Sequence, residues 1–168
     1  DGVISRACQD RRMSESTPAV ILDCDPGHDD VVAIVAAARH TELLGITTVA
    51  GNAPLDRTTY NARVMRDLLG LEVEVHSGAA GPLVVAPAFA GYVHGESGLD
   101  GAELPEPTTP LDGTDAARFI VDTIHARPGC HLVVTGPMTN IALALVQDPS
   151  IRGDLRSEEH TSELQSRP

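Results

Sequence analysis

Lysine is absent from all 168 residues. The chain therefore offers no P-loop lysine, no Schiff-base lysine and no amine to anchor pyridoxal within this segment. Twelve arginines stand against 24 carboxylates, for a formal net charge of −12. No basic run interrupts that balance, which argues against nucleic acid or an anionic membrane as partner. No apolar run reaches the roughly 18 to 20 residues that a membrane span needs, and no secretory signal pattern is visible. Cysteine is scarce. Cys8, Cys24 and Cys130 make no even disulfide framework, and the reading is that Cys24 and Cys130 are reduced and buried on strands of a soluble, cytoplasmic protein.

What the chain does contain is concentrated near its start. Ala19-Val-Ile-Leu-Asp-Cys-Asp-Pro-Gly-His-Asp-Asp30 is a short apolar strand pattern that empties into four carboxylates, Asp23, Asp25, Asp29 and Asp30. Packed together without a cation, these groups would push one another's pKa values upward. A hard cation removes that cost, and calcium or magnesium is the natural occupant of an all-oxygen site. A purely structural reading, with aspartates as helix caps, explains Asp29 or its neighbours but not Asp23 and Asp25 at a strand end.

The two ends of the chain read differently from its middle. Residues 156–166, RSEEHTSELQS, resemble the in-frame translation of a common sequencing-library adapter. The natural sequence is therefore expected to be interrupted near Leu155, with 156–168 set aside from fold reasoning. Met13 reads as the true start, and residues 1–12 as upstream translation or a leader. Removing both ends leaves the net charge unchanged, because the first carries +1 and the second −1.

From Ala19 onward strand-like and helix-like segments alternate, which predicts an open, mostly parallel α/β sheet, doubly wound with helices on both faces. Strands are expected at 19–23, 43–50, 73–76 and 131–134. Helices are expected at 29–39, largely buried, and at 54–69, 115–126 and 141–146. In the second helix Tyr60, Val64, Met65, Leu68 and Leu69 form the expected core stripe. In the third it is Ala116, Phe119, Ile120 and Ile124. A Gly- and Pro-rich stretch, 77–112, is long enough to suggest function, and it carries His94-Gly-Glu-Ser-Gly-Leu99. Parallel sheets bind ligands beyond the carboxyl ends of their strands. Three polar signals fall there: the aspartate cluster, Gly51-Asn52 and Thr135-Gly136.

Four motifs in this order, LDCDPGHDD, ITTVAGN, HGESGL and TGPMTNIA, closely resemble the inosine/uridine-preferring nucleoside hydrolase family. The resemblance covers Val20 to Leu155 and makes 13–155 the N-terminal part of such a domain. It implies a calcium-dependent cleavage of the N-glycosidic bond of purine or pyrimidine ribonucleosides. Carried over by position, Asp25 would be both a calcium ligand and the general base. Asp30 would grip calcium with both oxygens, and Thr135 would offer its backbone carbonyl. Asp29 would hydrogen-bond ribose hydroxyls, Asn52 would lie beside the attacking water, His94 would sit near the ribose, and Asp23 would support the first ring of ligands. His28 is expected to be no ligand, and His40, His76, His125 and His131 receive no role. The resemblance also implies a homodimer or homotetramer at full length. The family's last calcium ligand and its leaving-group histidine lie in the second half of the domain, so calcium binding and turnover are expected of the intact parent protein. The fragment alone should bind calcium poorly and is not expected to be active.

Two rivals remain on the residues alone. A haloacid-dehalogenase-like magnesium phosphatase also ends its first strand in DxD, with the first aspartate as nucleophile, but Pro26-Gly27 followed by Asp29-Asp30 departs from its usual continuation. A non-catalytic, calcium-stabilised nucleoside or sugar binder would have little use for a retained base.

Overall fold

Six residues with no charged side chain before Asp23, Val and Ile prominent among them, form the central strand, β1 (Ala19–Cys24), and the chain winds outward from it. The computed structural model describes residues 17–87, 98–101 and 103–154. In chain order the elements after β1 are α1 (His28–His40), β2 (Glu42–Thr48), α2 (Leu55–Leu68), β3 (Glu74–Ser77), α3 (Ala116–Ala126), β4 (His131–Val134), α4 (Thr139–Gln147) and a short 3-10 turn (Pro149–Gly153). All strand pairs are parallel, in the spatial order β3-β2-β1-β4. Winding proceeds from β1 to β3 on one side and then reverses to place β4 on the other. The reversal opens a crevice between the carboxyl ends of β1 and β4.

The alternation of β1 divides the core. Leu22 and Cys24 face α1 and α2, where they meet Ile34, Ala62 and Met65. Ile21 faces the opposite layer, built from Ile120, Val121 and Ile124 of α3 with Ile141 and Ala144 of α4. By the period of two, Asp23 falls on the α3/α4 side. No helix among the described residues is long and apolar enough to cross a membrane.

The expected fold class and element order are present, with differences that have physical causes. β2 ends at Thr48, because Val49 and Ala50 leave the ladder to donate to Cys24 and to Ala79 beyond β3. α1 is less buried than expected: only Asp30 and Ile34 are fully covered and Val32 is 68% exposed, since the helix forms an outer layer. Phe119 is partly buried and its ring comes against Gly45, where a β-carbon would lie 2.3 Å from Cζ. Cys24 is on β1 as expected, whereas Cys130 immediately precedes β4; both are free, buried thiols.

α2 departs furthest from its expected stripe. Val64 and Met65 are buried, but Leu68 is 49% exposed, while Thr58, Thr59, Asn61 and Arg66 are buried. This helix turns a polar edge inward because loop carbonyls and polar side chains, rather than an apolar surface, face it there. Thr58 donates to the Val49 carbonyl at 3.0 Å, and Thr59 shares a 2.8 Å hydrogen bond with Thr48. The Arg66 guanidinium donates to Asp112 at 2.6 Å and to the Thr109 and Pro110 carbonyls at 2.8 Å each. Asp67 accepts from the Thr108 and Thr109 amides, which hold its carboxyl well below the usual range. The returning end of the long connection is thus clamped to α2.

Replacing Arg66 with Leu removes these donors from two carbonyls and a carboxylate that can only partly rehydrate. The expected loss is about 3 kcal/mol, seen in urea denaturation as a lower midpoint at unchanged slope.

Candidate functional site

The site grows from the last residues of β1. Asp23 is wholly buried, and its Oδ1 accepts from the Thr47 hydroxyl on β2 and from the Asn140 amide of α4, the latter at 2.8 Å. Its Oδ2 is buried with no hydrogen-bond partner. Burial outweighs the two donors and raises the carboxyl to about 6. Asp25 follows just past the strand end and is 5% exposed. Its Oδ2 accepts the Asn52 amide N–H at 2.6 Å, and its carbonyl accepts the Asn52 side-chain amide at 3.1 Å. Asp30, in the first turn of α1, is buried beside it and 3.4 Å from Asn52 Nδ2. Burial first, then the Asp30 carboxylate, raises the Asp25 pKa, and none of the groups that shift it is cationic.

Backbone approaches Asp25 from both sides. A β-carbon on Gly51 would sit 2.1 Å from Asp25 Oδ2, and one on Gly136 would sit 2.9 Å from Oδ1. Glycine is required here for space and not for turn geometry. The Thr135 N–H donates to the Asp23 carbonyl at 2.9 Å, so the Thr135–Gly136 peptide is held next to the Asp25 carboxylate. Thr135 is exposed at the crevice and Asp29 is exposed at the start of α1.

The four aspartates of the opening motif therefore do not converge. Asp25 and Asp30 do, with Asn52 and the Thr135–Gly136 peptide beside them. Asp23 is turned inward, and Asp29 outward. Among the described residues no group of three or more His, Cys, Asp or Glu side chains is arranged as a metal cluster. What is present suits a hard cation in part: two facing carboxylates and adjacent carbonyls, with no cationic group among the described residues that shift Asp25. Calcium takes about six to eight oxygens, more than this pair provides.

His94 lies outside the described residues, as do the segments 1–12 and 156–168. The end of its motif is described: Gly98, at φ +81°, packs against the Pro26 carbonyl and Asn61, and Leu99 is buried. His28 contacts the Asp100 carbonyl at 3.2 Å. The motif's end thus returns to the loop that carries Asp25. His76 stacks on Phe119, and His125 pairs with Asp148 at 2.9 Å; both are away from the crevice. Asn140 is the residue that motif reading passed over. An amide in the first turn of a mostly apolar helix was the available signal.

Residues 20–157 match the profile of the inosine-uridine preferring nucleoside hydrolases. The chain belongs to the inosine-uridine preferring nucleoside hydrolase family. It is 43% identical over 140 residues to the pyrimidine-specific ribonucleoside hydrolase RihB of Escherichia coli strain K12, which covers 82% of this chain and 45% of that protein. Among solved structures it is similar to a purine-preferring ribonucleoside hydrolase from Gardnerella vaginalis, with a TM-score of 0.76 and 33% identity, over 82% of this chain and 46% of that one. A plant nucleoside hydrolase, PpNRh1, aligns with a TM-score of 0.74 and 28% identity, over 83% and 46%. The chain thus spans about half the length of the relatives it matches. Membership does not favour the phosphatase rival. In that rival Asp23 would be the nucleophile, yet it is sealed beneath Thr47 and Asn140.

The raised Asp23 pKa fixes the sign of a pH effect. The folded state binds the proton more tightly than the unfolded chain does, so the group's stabilising contribution is full at low pH. It is lost as pH rises from the usual carboxylate range through about 6. Asp23→Asn removes that dependence. In cation-free protein the variant is expected to gain on the order of 2 kcal/mol relative to wild type between pH 4 and pH 8, measured by denaturation at each pH. A constant difference across that range would show that Asp23 is not titrating.

Proposed function

We propose that the full-length protein hydrolyses the N-glycosidic bond of ribonucleosides, with calcium held by Asp25, Asp30 and the Thr135 carbonyl. The buried Asp25–Asp30 pair at the β1/β4 crevice is the observation that carries this reading. Two facing carboxylates with no cationic neighbour among the described residues suit a hard cation. When bound, calcium neutralises them and makes a water at the crevice more acidic.

The chain's own groups do the rest. Asp25 takes the proton from the attacking water, and the positive charge of a cation held beside it would lower its pKa and keep it ionised for that purpose. The Asn52 amide N–H fixes the Asp25 carboxylate from one side, and Gly136 leaves room on the other. Asn52 borders the water position. Asp29, exposed at the crevice mouth, takes the ribose hydroxyls, with His94 near the sugar. Negative charge around the ribose favours the oxocarbenium-like state through which glycosidic cleavage passes. Two buried, unpaired thiols support a cytoplasmic setting, and assembly as a homodimer or homotetramer belongs to the same reading.

Asp25→Asn in the full-length protein tests it. Turnover of uridine or inosine is expected to fall at least 100-fold while ribose still binds, and chelation of calcium should abolish wild-type turnover until calcium is restored. Both nucleosides belong in the assay because the similar proteins carry pyrimidine and purine names. Unchanged turnover in Asp25→Asn would overturn the assignment of the base. Binding without turnover in the wild type would favour the non-catalytic rival.

A further inference from the structure

Asn140 joins the two sides of the crevice. It stands in the first turn of α4, directly after the Thr135–Gly136 segment, and is completely buried. Its Nδ2 donates to Asp23 Oδ1 on β1 at 2.8 Å and to the Thr48 carbonyl at the end of β2 at 3.0 Å. Its Oδ1 accepts the Ala79 N–H, just past β3, at 2.9 Å. One amide from the β4 side therefore bonds to the ends of all three strands on the other side.

These contacts sit directly beneath the cation-facing groups. Ala79 is bonded in turn to Ala50, which leads into Gly51 and Asn52. Thr48 leads into the same turn, and Asp23 is two residues before Asp25. The fit leaves no slack, since a β-carbon on Gly78 would lie 2.2 Å from Asn140 Oδ1.

We propose that Asn140 is a positioning residue that sets the separation between the Asp25–Asp30 pair and the Thr135–Gly136 peptide, and thereby the affinity of the site for a divalent cation. The inference rests on the reading of that pair as a cation site. Asn140 touches neither cation nor substrate. It acts through Asp23, Thr48 and Ala79.

Calcium titrated into the full-length protein by calorimetry tests this without reference to turnover. Asn140→Ala is expected to weaken calcium binding about 10- to 100-fold, the range typical of groups that orient ligands. Gly78→Ala, which displaces the amide without removing it, should weaken it in the same direction. Ile120→Ala, a core change on α3 remote from the crevice, should lower thermal stability and leave calcium affinity within about twofold of wild type. Equal affinity in Asn140→Ala and wild type would overturn the proposal, as would an equal loss in Ile120→Ala. If Asn140→Ala does not fold, Asn140→Ser, which keeps a polar group but cannot reach Asp23, Thr48 and Ala79 together, is titrated instead. Weaker calcium binding in it supports the positioning role, and equal affinity overturns it. A wild type that binds no calcium would instead remove the cation-site reading on which the proposal rests.

Discussion

Carboxylates placed out of water must be satisfied by something else, and this fold buries three of them at one end of its central strand. Burial of an ionised carboxylate costs several kcal/mol unless charge or hydrogen bonds offset it. The protein meets that cost in two ways a few ångströms apart. Asp23 is stabilised by neutral donors, the Thr47 hydroxyl and the Asn140 amide, and its remaining oxygen is sealed off. Asp25 receives a backbone N–H on one oxygen and faces Asp30, with no positive side chain among the described groups that shift it. The first arrangement is closed. The second leaves two buried carboxylates side by side.

Topology decides where that difference appears. Because the sheet order reverses between β1 and β4, the loops after these two strands diverge and leave space between them. The loop after β2 enters from the side. Gly51 and Gly136 let two backbone segments come against the same carboxylate, closer than any side chain would permit. The geometry of Asp25 is thus set by three separate loops, tied together beneath the site through Asn140.

Much of the fold could be read directly. β1 announces itself as a short continuous apolar run, Ala19–Leu22, and α3 by apolar residues spaced three to four apart, because little but core packing determines them. α2 did not follow that logic. Its inward edge holds Thr58, Asn61 and Arg66, whose partners are carbonyls and a carboxylate supplied by loops distant in sequence. Hydrophobic periodicity carries no signal for such contacts. Leu68 faces solvent for the same reason, since the helix face that places Arg66 inward places Leu68 outward.

The candidate site divides along a similar line. The composition of the chain and its short motifs determined that β1 ends in carboxylates, that glycine and asparagine follow β2, and that threonine and glycine follow β4. These are local facts about strand ends, and local sequence is sufficient to state them. Which aspartates face one another was decided only in three dimensions. Asp23 points into the α3/α4 layer because it lies in phase with Ile21, whereas Asp25 lies past the last rung of the ladder and is free to turn toward Asp30. The role of Asn140 belongs wholly to tertiary structure, since its partners lie 61 to 117 residues away and only the closed sheet brings them within reach of one amide.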